Sequence, residues 1–196
     1  YDVHPGDAAL HDAGELVVMP GLVDSHVHVN EPGRADWEGF ETAGAAAAAG
    51  GVTTIVDMPL NCIPVTTSAG ALREKLAAAR GKLGVDTAFW GGIVPGNAGE
   101  LEALAEGGAR GFKAFMCPSG IEDFPQTGEN DLRAAMVVAA RLGLPVLLHA
   151  ELCGPVAAPG ADADRYEGYL TSRPAVWEQE AITLAARLCA ETGCRT

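Results

Sequence analysis

Residues 22–32 read LVDSHVHVNEP. A short apolar run closes on two histidines, His26 and His28, and then breaks into an Asn-Glu-Pro-Gly turn. Side chains on a strand alternate faces, so Asp24, His26 and His28 are expected on one face and Val23, Val27 and Val29 on the other. Two imidazoles at i and i+2 can grip one cation from the same side. The same pattern also suits hydrogen-bonded histidines at a strand end, so the rest of the chain has to decide.

Downstream, apolar runs alternate with helical patterns. Strands are predicted at Val23–Val29, Val52–Met58, Val85–Val94, Gly111–Met116 and Pro145–Ala150, all apolar and bounded by Gly or Pro. Amphipathic stretches fall at Asp36–Ala49, Ser68–Lys82, Ala98–Glu106, Asn130–Leu142 and Ala175–Thr192. The last puts Trp177, Ala181, Ile182, Ala185 and Leu188 on one face and stops at Gly193. A further lone strand is expected at Leu16–Met19, before the Pro20-Gly21 turn.

Such β-α repetition implies parallel strands joined by right-handed crossovers and covered by helices. An open doubly wound sheet and a (β/α)8 barrel both fit. No GxGxxG follows the first strand, which weakens a dinucleotide-binding sheet. About five βα units are visible, where a complete barrel takes roughly 250 residues. The expected fold class is therefore α/β, a partial (β/α)8 TIM barrel. Residues 20–196 would form its first part and residues 1–19 the remnant of a small N-terminal β-domain.

Bulk composition narrows the function. The chain has 196 residues, 48% apolar and 20% charged, which is globular. A formal net charge of −13 and a pI near 4.6 argue against nucleic acid and anionic membrane as partners. The five cysteines form no CxxC pair, which suggests a reducing compartment and a cytoplasmic protein. No run approaches the roughly 20 apolar residues of a membrane span, and no basic-then-apolar leader opens the chain.

Two further polar intrusions stand out. Lys113 lies inside the apolar strand of GARGFKAFM, where an ammonium is costly without a partner. Desolvation favours its neutral amine, which can take up CO2 to become a carbamate able to bridge two cations. A lysine reaching to the strand end, or paired with a carboxylate such as Asp57, is the plainer reading of Lys113 alone. His149 closes LPVLLHAE at another strand end. Singly each is ambiguous, but HxH, Lys and His at the ends of different strands together favour a metal site.

The ordered motifs PGLVDSHVHVNEPG, GGVTTIVDMPLN, GFKAFMCPSG and LLHAE, with YLTSRPAVWEQEAI before the last helix, closely resemble the cyclic amidohydrolases. The resemblance spans about Leu16 to Thr196 and is strongest to the allantoin-opening branch. It implies a metal-dependent (β/α)8 barrel with a small accessory β-domain, acting in purine catabolism. By motif, His26 and His28 would bind one divalent cation and His149 a second. Lys113, as N6-carboxylysine, would bridge the two. Such ligands suit Zn, Mn, Fe or Co, with zinc expected. The family's further histidine and its general-base aspartate match no position here. His4 and His11 precede the barrel, so both groups are expected beyond Thr196. The chain would then be an inactive piece of a longer, homo-oligomeric enzyme, expected to be a tetramer.

Substrate choice rests on two departures from relatives. Dihydroorotases carry an arginine two residues after the second histidine, for a substrate carboxylate; here that residue is Asn30. Hydantoinases and dihydropyrimidinases place a tyrosine five residues after the bridging lysine; here it is Pro118. Both favour allantoin, an uncharged small-molecule ring. Asn30, Ser119 and Asn61 are the candidate substrate contacts, and loop capping is the alternative for Asn30 and Ser119. Another cyclic amidohydrolase, or a non-catalytic barrel relative, are the competing functions. Glu31, solvated or capping a loop, and Asp57, hydrogen-bonding a ligand from behind, are given no catalytic role.

Overall fold

A computed structural model of the chain describes residues 6, 9–154 and 165–196. His4 lies outside these residues. Six strands occur among them: β1 (Leu22–Val27), β2 (Val52–Asp57), β3 (Asp86–Phe89), β4 (Gly91–Gly92), β5 (Phe112–Phe115) and β6 (Val146–His149). The helices are α1 (Phe40–Ala49), α2 (Ala69–Ala79), α3 (Leu101–Glu106), α4 (Glu129–Leu142), α5 (Tyr166–Ser172) and α6 (Ala175–Thr192). All strand pairs are parallel, in two three-stranded sheets ordered β1-β2-β3 and β4-β5-β6.

The predicted single strand Val85–Val94 is divided at Trp90, because the chain changes partner there. β3 pairs with β2, and β4 pairs with β5. At the switch the Trp90 N–H donates to Asp57 O (2.9 Å) and the Gly91 N–H to Gly111 O (2.9 Å). Gly92 permits the close approach: a Cβ there would stand 2.5 Å from the Phe124 ring.

Period-two alternation sorts the side chains into two layers. Ile55, Phe89, Phe112, Ala114 and Val146 face the helices and join Leu72, Leu101, Leu104, Leu132, Met136, Ala181 and Leu188 in the main core. Val27 and Val29 pack on this same core. Val56, Trp90 and Phe124 form a second cluster, with Ala88, Phe115 and Leu147 against it, on the opposite face of the sheets. Each fully buried Leu, Ile, Val, Phe or Met side chain contributes about 1.5–3 kcal/mol relative to exposure.

Several expectations are corrected. Leu16–Met19 forms no strand and its side chains are exposed, since no neighbouring strand accepts its hydrogen bonds. In α6, Trp177, Ala181, Ala185 and Leu188 are buried as expected, but Ile182 is 56% exposed because the helix turns it past α4 into solvent. Gly193 stops α6 in the left-handed conformation (φ 71°), as its position suggested. The short α5 was not anticipated. After α6, Arg195 O accepts from the Val146 N–H at 2.9 Å, which lays the last residues beside β6.

Candidate metal centre

The four sequence candidates for metal ligation come from three strands and lie on the face away from the helix-packed core. His26 and His28 alternate with Val27 and Val29, which are turned into that core. Their rings lie side by side, with centroids 5.4 Å apart. A register shift between Asp24 and Val27 gives β1 one more residue than β2 over this stretch, which re-aims the side chains that follow it. The carbonyl of Ser25 within the shift accepts from the Trp90 indole at 2.9 Å.

Lys113 and Leu147 are register partners, as are Phe115 and His149, so β5 and β6 present Lys113 and His149 to one side. The His149 ring stacks on Phe115 at 4.9 Å, with 8° between planes. Lys113 is 4% exposed and its ammonium lies 5.0 Å from the Phe115 ring. Among the described residues no carboxylate stands within 4.0 Å of it. Burial pulls its pKa below the ordinary lysine value. Burial likewise lowers the pKa of His26 and His28, with Lys113 adding to the effect at both. Burial therefore favours the uncharged forms of His26, His28 and Lys113, a donor set suited to divalent cations.

A cleft of about 500 Å³ opens over these groups, lined by His26, Lys113 and His149 and by Tyr169, Arg173 and Glu178. His28, of the four ligand candidates, does not line it, and neither do Asn30, Asn61 and Ser119. Asn61 instead contacts a ligand candidate, its carboxamide 3.3 Å from His28 Nδ1. Asn30 is half-buried, with its backbone bonded to Glu38 and Arg34. The Ser119 hydroxyl donates to Phe124 O (2.5 Å) and accepts from the Ile121 N–H (3.2 Å), holding its own loop together.

Asp57 does not pair with Lys113 and does not touch a histidine. It faces the helix layer, where Lys75 of α2 reaches it at 2.5 Å with both side chains fully buried. Its other oxygen accepts from the Val29 N–H at 2.7 Å, fixing the backbone just past His28. Burial pushes its carboxyl up to about 6 even with Lys75 alongside. Lys75 went unnoticed in the sequence, although it falls on the buried stripe Ala71, Leu72, Lys75, Ala79. Glu31 is buried rather than solvated. It accepts the Phe40 N–H at 3.1 Å, the first of α1, and forms an ion pair with Lys82.

Glu151 and Arg173 were also missed. Glu151 follows His149 by two residues, the period-two signal that could have found it. Its carboxylate lies 3.6 Å from His149 Nε2 and forms an ion pair with Arg173. Cys117, His149 and Glu151 hold one donor atom each within 4.8 Å of one another. We do not read that trio as a cation site. The Arg173 guanidinium already neutralises Glu151, and burial with nearby Cys153 and Glu151 pushes the Cys117 thiol up to about 11.

Comparison with known proteins follows the same lines. A model of the amidohydrolase family matches residues 17–181. The chain belongs to the amidohydrolase family. It is 49% identical over 181 residues to the allantoinase of Streptomyces avermitilis, covering 91% of this chain and 40% of that protein. It is also 49% identical over 198 residues to the allantoinase of Rubrobacter xylanophilus, covering 98% and 44%. The L-hydantoinase (dihydropyrimidinase) from Arthrobacter aurescens superposes with a TM-score of 0.81 at 36% identity, covering 90% of this chain and 40% of that one. The chain thus spans about two fifths of the length of these relatives.

Proposed function

We propose that this chain carries part of the metal centre of a hydrolase that opens the cyclic amide of allantoin to give allantoate. The observation that carries the reading is Lys113, buried with no carboxylate within 4.0 Å among the described residues and lining one cleft with His26 and His149, while His28 lies on the same face as His26 at the end of β1. Family membership and the allantoinase relatives support it.

His26 and His28, whose pKa values burial lowers, would offer ring nitrogens to one cation and His149 to a second. The Lys113 amine, by forming an N–C bond to CO2 and releasing one proton, would become a carbamate that, with the histidines, would hold the cations. Two divalent cations, zinc foremost, would supply Lewis acidity toward water and toward the scissile carbonyl. Phe115 holds the His149 ring by stacking, and Asp57 fixes the backbone after His28. The cleft walls from Tyr169 to Glu178 would shield the ring being opened from bulk water.

Asn30 is proposed to favour an uncharged ring, since a substrate carboxylate calls for a guanidinium at that position. Ser119 could contribute only if its hydroxyl left Phe124 O. We further propose that β1–β6 make up about the first five strands of a (β/α)8 barrel, with β3 and β4 as two parts of one strand, that residues 1–19 belong to a small β-domain, and that the enzyme is a cytoplasmic oligomer.

The second reading is a hydantoinase or dihydropyrimidinase, favoured by the superposition on the Arthrobacter protein. Turnover of allantoin, 5-substituted hydantoins, dihydrouracil and dihydroorotate by the protein at the full length of its relatives separates the two. Allantoin is expected to be opened fastest. Faster opening of hydantoins or dihydrouracil overturns the allantoin assignment, and no turnover of any favours a non-catalytic relative.

A further inference from the structure

Asn61 stands apart in the backbone. Among the described residues it is the only non-glycine with a positive φ, at 72°. Asparagine tolerates this left-handed conformation better than most residues, but it is adopted only where the surroundings impose it. Here they do. The Asn61 carbonyl accepts from Arg34 Nη1 at 3.4 Å, and two residues on the Ile63 N–H donates to Pro32 O at 2.8 Å. The loops leaving β1 and β2 are thereby clipped together, and the clip delivers the Asn61 carboxamide, Nδ2 foremost, to 3.3 Å from His28 Nδ1.

The two ends of a carboxamide have nearly the same shape and opposite hydrogen-bonding character. With the amide nitrogen toward the ring, Nδ1 accepts, the ring proton sits on Nε2, and Nε2 has no lone pair for a cation. With Oδ1 toward the ring, Nδ1–H donates and the Nε2 lone pair is free. A cation held by His28 through Nε2 requires the second arrangement, the carboxamide turned end for end from the Nδ2-first placement. We infer that Asn61 is a positioning residue: through Oδ1 it holds His28 in the tautomer and orientation that present Nε2 to a divalent cation. The inference rests on the metal-centre reading above, in which His28 is a ligand.

Three variants test it in the protein at the full length of its relatives, with zinc alone as the probe. Asn61→Gly keeps the left-handed backbone and removes the carboxamide. Asn61→Asp keeps an oxygen acceptor, and His28→Asn removes the ligand itself. Zinc affinity is read by competition with a chelating indicator, the His28 tautomer by 15N chemical shifts, and folding by the thermal midpoint of the metal-free protein. Asn61→Gly is expected to weaken the site about 10–100-fold and to mix the tautomers of His28, with the midpoint unchanged. Asn61→Asp is expected to restore both. If His28→Asn weakens zinc binding while Asn61→Gly binds as wild type, the positioning role is overturned and the metal centre stands. If Gly and Asp variants both lose zinc while remaining folded, an oxygen acceptor is not the cause and the inference is again overturned. If His28→Asn binds zinc as tightly as wild type, the metal-centre reading itself fails, and the inference with it.

Discussion

Lys75 Nζ lies 2.5 Å from Asp57 Oδ2, with neither side chain exposed, and Asp57 in turn holds the Val29 N–H next to His28. A strand end that carries a ligand candidate is thus anchored to α2 by a buried ion pair. Removing one partner leaves the other charged and unpaired in the core, at a cost of about 3–5 kcal/mol. Lys75→Met is expected to lower stability by that amount in urea unfolding, and Lys75→Met with Asp57→Asn to recover part of it. Equal stability of Lys75→Met and wild type would contradict the anchoring role.

The depressed pKa values of His26 and His28 set a direction for pH dependence in the metal-free protein. Unfolded histidine titrates near about 6.5, whereas burial holds these two below it in the fold. Between the two values the unfolded chain binds more protons, so stability is present above 6.5 and declines as pH falls through the lower folded values. Urea midpoints of chelator-treated protein are expected to drop from pH 7.5 to 5.5, and less steeply in His28→Asn. An equal drop in both would remove His28 from the explanation.

Cys117 and Cys153 are neighbours with opposite exposure. With its thiol pushed up to about 11, Cys117 is on the order of a thousandth thiolate at pH 8. Alkylation of the native protein at pH 8, read by peptide mass spectrometry, is expected to label Cys153 and spare Cys117. Labelling of both at one rate would contradict the buried, protonated thiol.

Arg173 reaches from the end of α5 to Glu151, and holds its carboxyl below the usual carboxylate range. Arg173→Leu leaves Glu151 beside His149 and Cys117 with no guanidinium, so its carboxyl pKa is expected to rise. Carboxyl 13C shifts of Glu151 across pH 3–7 in wild type and variant check this, and an unchanged titration would contradict the pairing.

Much of this was legible in the sequence because it depends on local rules. Period-two apolar runs with Gly or Pro at their ends located the strands, and Gly193 marked where α6 stops. His26, His28, Lys113 and His149 stood out because each is a polar group at the end of an apolar strand. Trp90 could not be seen as a break, since leaving β2 for β5 is a tertiary event that no local propensity encodes. Leu16–Met19 has strand composition but no partner strand among the described residues. The Asp57–Lys75 pair and the Asn61–His28 contact join residues 18 and 33 apart in the chain, so neither spacing suggests a contact. Lys75 was nonetheless detectable as a charge on a buried helical stripe, and Glu151 as the second polar residue in a period-two series.

The central claim is that Lys113 and the three histidines hold divalent cations. Its most direct test is metal content per chain of the protein at the full length of its relatives, purified with zinc and bicarbonate, in wild type and Lys113→Ala. Wild type is expected to carry about two equivalents, as a two-metal site requires, and the variant to lose most of them while remaining folded. Wild-type protein without bound metal, or a Lys113→Ala variant that keeps the full complement, would contradict it.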